Sequence, residues 1–165
     1  MTIVAASPSD YAQIDALLAA AFGGTEEVRL MHGLREDGDI AVELIERRDN
    51  AVVGHIAFSP VEGSQGALAL APLSVSPQMQ RKGIGSALAH RGLEVTREQD
   101  WRSVFVLGDP IYYKRFGFNL QAAQPFLSPY SGAHFMALEL VDGSLAGQGG
   151  PLKHAAIFAK LEGGA

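Results

Sequence analysis

One junction restricts the fold more than any other. Leu68 to Val75 is an apolar run of strand length, Pro77 stops it, and from Gly83 the apolar spacing turns helical, with Ile84, Ala87, Leu88 and Val95 on one face. The first backbone N–H groups of such a helix have no partner inside it. They point out of its N-terminus, where the peptide dipoles leave roughly half a positive charge. Glycine at 83 and 85 removes the Cβ atoms that would hold a bulky anion away. Phosphate or pyrophosphate binding is the chemistry this favours.

Three phosphate motifs compete for these residues. A P-loop ends in Gly-Lys-Ser/Thr, whereas here Lys82 precedes the glycine. A dinucleotide fingerprint wants glycine or alanine where the chain has Leu88, and no acidic residue ends a following strand at the expected distance. The pattern Gln/Arg-x-x-Gly-x-Gly/Ala is met at each fixed position by Gln80-Arg81-Lys82-Gly83-Ile84-Gly85. A strand and a helix later, Val104 to Leu107 reads as a buried strand. Asp109 then caps a short helix, Pro110 takes its first position, and Gly117 supplies a left-handed stop. Tyr113 with Gly117-Phe118 completes Tyr-x-x-x-Gly-Phe.

On these two motifs the chain resembles the GNAT superfamily of acyl-CoA-dependent N-acetyltransferases, over roughly residues 1–118 and most densely over 70–118. The wording Gly-Asp-Pro-x-Tyr-Tyr-x-Arg-Phe-Gly-Phe looks like one branch of predicted N-acetyltransferases. The resemblance implies an α/β fold of the α+β kind, a single domain over residues 1–165 with a mixed, mainly antiparallel sheet and helices on both faces. It implies acetyl-CoA as acyl donor and an amine as acceptor, in a monomer or homodimer. The backbone N–H groups of Arg81, Lys82, Gly83, Ile84, Gly85 and Ser86 would grip the pyrophosphate, with the side chains of Gln80 and Arg81 as additions. Leu73 and Val75, on a strand that parts from its neighbour, would pair with the pantetheine amides, and one of their N–H groups would face the oxyanion. Tyr113 would be the general acid for the departing thiolate. Tyr112, one residue earlier, points elsewhere and reads as packing.

No single base stands out. Glu26, Glu27 and Glu62 lie near segments that line the acceptor side in relatives, His55 and His134 are further candidates, and a water chain is another route. The asparagine often found after the strand at 104–107 is replaced by Gly108-Asp109-Pro110, so a cofactor contact from it is not carried over. The same cradle also suits a non-catalytic acyl-CoA-binding module, against which an intact Tyr113 argues.

Composition removes other classes. With no cysteine there is no disulfide, thiolate metal site or cysteine nucleophile, and the five histidines show no helix-face pair, so no metal is implied. A net charge of −5 without a basic stripe gives a nucleic-acid partner nothing to neutralise phosphate with. No apolar run reaches the ~20 residues a membrane span requires, and Met1 to Ser9 lack a signal-peptide pattern; a cytoplasmic location is the default.

The remaining elements follow from periodicity. Ile3 to Ala6 reads as a strand. After Ser7-Pro8-Ser9-Asp10, the residues Tyr11, Ile14, Leu17, Leu18, Ala21 and Phe22 form one helical stripe that Gly23-Gly24 ends. Glu26 to Leu34 reads as a second helix, and 39–47 and 51–60 as strands joined through Asp49-Asn50. Later, 134–141 reads as a strand and 143–151 as a mobile glycine-rich stretch, and 154–161 is open between strand and helix.

Overall fold

The computed structural model describes residues 2–163. Its chain order is β1 (Thr2–Ala5), α1 (Tyr11–Phe22), α2 (Glu26–Glu36), β2 (Val42–Arg48), β3 (Ala51–Val61), β4 (Ala67–Val75) and α3 (Ile84–Glu98), followed by β5 (Ser103–Leu107) and α4 (Pro110–Tyr113). The C-terminal part adds α5 (Leu120–Ala123), β6 (Phe126–Leu127), β7 (Phe135–Glu139), β8 (Gly150–Pro151) and α6 (Ala156–Gly163). Six strands form one sheet in the order β1-β2-β3-β4-β5-β7, antiparallel at every seam except β4–β5. That parallel seam needs a crossover, and α3 is the crossover.

Local chemistry accounts for the meander. Asp49 and Asn50 both have positive φ, as a two-residue hairpin turn requires, so the β2–β3 register follows from the turn. α2 runs past Leu34 to Glu36 because its end closes as a Schellman motif: Gly38 N–H donates to Arg35 O and Asp39 N–H to Leu34 O. The strand expected from Asp39 therefore starts at Val42.

Helices cover both faces. On one, Ile14, Leu17 and Leu18 of α1 and Leu30, Met31 and Leu34 of α2 pack on Ile45, Val52 and Ala57. On the other, Ile84, Leu88 and Leu93 of α3 pack on Val53, Ile56 and Phe58. The undecided 154–161 segment becomes helix α6, packed on α2. Its fit is close: a Cβ on Gly33 of α2 would collide with Ile157.

The glycine-rich stretch differs from expectation. Ser144 Oγ donates to Arg102 O at 2.8 Å, Leu145 N–H donates to Glu139 Oε2 at 2.8 Å, and Leu145 is buried in a core with Phe105 and Phe126. Its glycines sit in turns between anchored residues, so the stretch is pinned rather than loose.

Candidate active site

The site begins where the sheet comes apart. β4 and β5 pair over three positions only, Ala67–Ala69 against Ser103–Phe105. β5 continues against β7 up to Leu107, while β4 stays with β3 up to Val75. A register shift between Ile56 and Phe58, opposite Ala71-Pro72, bends β4 at that point. Beyond Ala69, the edge of β4 that faced β5 has no strand partner among the described residues, and Leu73 and Val75 lie on this stretch.

On the α3 side of the split lies a cavity of about 560 Å³. Gly83 is the N-cap of α3, with φ +83° and no side-chain cap, and the first in-helix bond is from Ala87 N–H to Gly83 O. The N–H groups of Ile84, Gly85 and Ser86 therefore have no helical acceptor. Leu73, Val75, Gln80, Arg81, Gly83, Ile84, Gly85 and Ser86 all line this cavity, as does Tyr113. Lys82, which the motif places among them, is exposed and does not.

Two neighbours were missed by sequence reasoning. Tyr112 lines the same cavity, and its hydroxyl lies so close to α3 that a Cβ on Gly85 would stand 2.8 Å from it. Arg115 stacks on the Tyr112 ring at 4.6 Å and donates from Nη2 to Ser86 Oγ at 2.8 Å. Tyr112 thus shares the cavity instead of pointing elsewhere, while it also packs against the core as expected. α4 is a single turn that passes straight into a 3-10 turn at Lys114–Phe116, and it brings both tyrosines to one cavity, their rings edge to face at 5.1 Å. The only sequence signal was the cation three residues after Tyr112.

Tyr113 is largely buried. Its ring packs edge-on to Phe118 at 5.7 Å and covers Gly108 so closely that no side chain fits there. A residue larger than glycine at 108 would therefore displace the Tyr113 ring. Burial, with the second phenol beside it, pushes the Tyr113 hydroxyl up to about 12.

A second cavity of about 350 Å³ flanks the split on the opposite face. β4 contributes Leu70 and Ala71 to it, β5 contributes Phe105 to Leu107, and α2 and α6 supply further walls. Of the expected bases, Glu26 and Glu27 line it and the rest do not. Glu62 is exposed, its backbone bridged to Lys153. His134 is exposed ahead of β7. His55 is fully buried under α1 and α2, its Nε2 bonded to Glu43 Oε2 at 2.8 Å. His154, not anticipated, is the imidazole that lines the cavity, with Nε2 2.9 Å from Ser128 Oγ. Burial holds it below the usual imidazole value, with Glu162 pulling the other way.

A parted parallel seam beside an uncapped, glycine-started helix describes a class of acyl-transfer domain, and comparison bears this out. The family model for acetyltransferases of the GNAT family matches residues 12–118, and the chain belongs to that family. It is similar to the uncharacterized N-acetyltransferase YhbS of Escherichia coli K12, at 36% identity over 154 residues, covering 89% of this chain and 92% of that one. Among solved structures, E. coli YhbS in complex with CoA matches with a TM-score of 0.89 and 34% identity, covering 96% of this chain and 91% of that chain. A GNAT family acetyltransferase from Brucella melitensis in complex with acetyl-CoA matches with a TM-score of 0.82 and 32% identity, covering 95% and 97%.

Proposed function

We propose that the chain transfers an acetyl group from acetyl-CoA to a primary amine by direct attack, with Tyr113 as the proton donor. One observation carries the reading: two cavities flank the same unpaired run of β4, one at an open helix N-terminus and one lined by carboxylates and an imidazole. The relatives crystallised with CoA and acetyl-CoA support the choice of donor.

The residues fit a pyrophosphate. The N–H groups of Ile84, Gly85 and Ser86 converge where a Cβ on Gly83 would meet nothing within 4 Å, and Arg81 and Arg115 add positive charge beside them. The edge at Leu73 and Val75, where the Val75 carbonyl already accepts from Gln80 Nε2 at 3.2 Å, offers its remaining backbone groups to the pantetheine amides, and one N–H there can face the developing oxyanion. Acetyl-CoA supplies the activated thioester carbonyl. Tyr113 holds a proton at Oη for the sulfur, whose charge develops as the C–S bond breaks.

The test is two measurements on the whole chain. Calorimetry is expected to show acetyl-CoA binding, and a thiol assay with a panel of amines is expected to show amine-dependent CoA release. Absence of binding would remove the reading. Binding without release for every amine would leave a non-catalytic acyl-CoA-binding module.

A further inference from the structure

The cavity on the α2–α6 face has a composition of its own. Leu30, Phe105, Phe135 and Phe158 supply aliphatic and aromatic wall, and Glu26, Glu27 and Glu162 supply carboxylates. Among the described residues that line it, none is Lys or Arg. The volume, about 350 Å³, lies at the small end of the roughly 300–1,000 Å³ usual for ligand sites.

The carboxylates do not all have a helical explanation. Glu26 and Glu27 stand in the first turn of α2, where negative charge suits the dipole in any case. Glu162 stands in the last turn of α6, at the negative end, where a carboxylate works against the helix. It lies instead beside the Tyr130 hydroxyl, which burial and this carboxylate keep protonated by raising its pKa. Tyr130 and Phe158 in turn pack edge-on around His154, at 5.1 and 6.0 Å. Negative charge placed against an aromatic wall is the arrangement that holds an organic ammonium.

We propose that this cavity selects a singly charged primary amine carried on an apolar aliphatic or aromatic body, drawn in by Glu26, Glu27 and Glu162 and deprotonated by His154. The inference rests on the acetyltransferase reading and narrows its acceptor. An amino sugar would leave its hydroxyls facing phenylalanine and leucine, at a cost of about 1–3 kcal/mol for each unpaired group. A polyamine would bury further charges along the same wall. His154, whose burial favours the neutral imidazole, takes one proton from the ammonium. The freed nitrogen forms the C–N bond to the acetyl carbon as the C–S bond breaks and the sulfur takes the Tyr113 proton; the second proton that the nitrogen sheds on becoming an amide restores the Tyr113 phenol, and the proton on His154 passes to solvent.

The test is calorimetry of the chain with phenethylamine, phenethyl alcohol and spermidine, with and without CoA present. Phenethylamine is expected to bind at least about tenfold more tightly than the alcohol or spermidine, and Glu162→Gln to weaken the amine about tenfold and leave the alcohol unchanged. Equal binding of amine and alcohol, or preference for spermidine, would overturn the proposed class. Because the series is also run without CoA, failure of CoA to bind counts against the transferase reading and leaves the ranking legible. For the imidazole, kcat with phenethylamine is expected to show an acid limb displaced below the usual imidazole range, with His154→Gln lowering kcat and flattening that limb. A limb unchanged in the variant would remove His154 from the step.

Discussion

Tyr113 has to give up a proton from surroundings that hold on to it. Its phenol sits at about 12, against roughly 8.5 for a free thiol, so complete transfer to a finished thiolate is uphill by about 5 kcal/mol. The proton can therefore be shared only while the sulfur charge is partial, which puts its worth at the low end for acid catalysis. Tyr113→Phe is expected to lower kcat about 10²-fold and to leave acetyl-CoA affinity nearly intact. Because the phenol stays protonated to about pH 12, the loss should be uniform from pH ~6 to ~10. An alkaline limb that disappears in the variant would show instead that Tyr113 titrates in that range. Gly85 makes a separate demand. Alanine there suits the helix, but its methyl would meet the Tyr112 hydroxyl at 2.8 Å, and Arg115 stacked on that ring resists its moving. Gly85→Ala is expected to weaken acetyl-CoA binding about tenfold, roughly 1.4 kcal/mol, with kcat nearly unchanged; calorimetry and saturation kinetics read the two quantities separately.

Among the elements, α6 joins the wall of the second cavity through Phe158, Leu161 and Glu162. It docks on α2 across Gly33, where a methyl would overlap Ile157. In Gly33→Ala the helix propensity gain of about 1 kcal/mol opposes an overpacking cost of about 1–3 kcal/mol. Since α6 is only eight residues long and docks on α2, it should lift rather than deform the sheet. Global stability should then change by less than about 1 kcal/mol, amide exchange in 156–163 should quicken, and amine binding should fall while acetyl-CoA binding persists. Loss of both ligands together would mean that the helix supports the whole sheet. The same contrast decides what could be read from sequence. The turn and helix start at 80–86 were legible because the glycines and the change of apolar spacing are contiguous. The β2–β3 hairpin was legible through Asp49-Asn50. α5, capped by Asn119 Oδ1 on Ala122 N–H, and the two-residue pairing of β6 with β8 carry no period long enough to notice. His154 joins Glu26 and Phe105 only after α2, β5 and α6 have packed, and no local pattern encodes that meeting.

At the scale of the whole molecule, one ionic knot ties the α1–α2 layer to the sheet. Glu43 of β2 accepts from Arg35 Nη2 of α2 at 2.6 Å and from His55 Nε2 of β3 at 2.8 Å, and Arg35 lies 3.6 Å over the Tyr11 ring of α1. Burial alone would raise the Glu43 carboxyl, but the bonds from His55 and Arg35 outweigh it and hold it below its ordinary 4.5. Asp10 is held below 3.8, chiefly by the Ser7 N–H, against the opposing effect of burial and with help from Arg47. The unfolded chain therefore takes up these protons first. The stability the two carboxylates contribute is complete above about pH 4.5 and is lost as pH falls through their lowered folded values. Urea unfolding should give nearly constant stability from these groups between pH ~7 and ~5 and a steep decline below that. Glu43→Gln leaves Arg35 and His55 without their shared anion, so it should cost about 3–5 kcal/mol at pH ~7 and also make the decline below pH ~4.5 shallower. The second effect separates a titrating ion pair from simple packing. A variant that loses stability but keeps the wild-type slope would place the acid-sensitive group elsewhere.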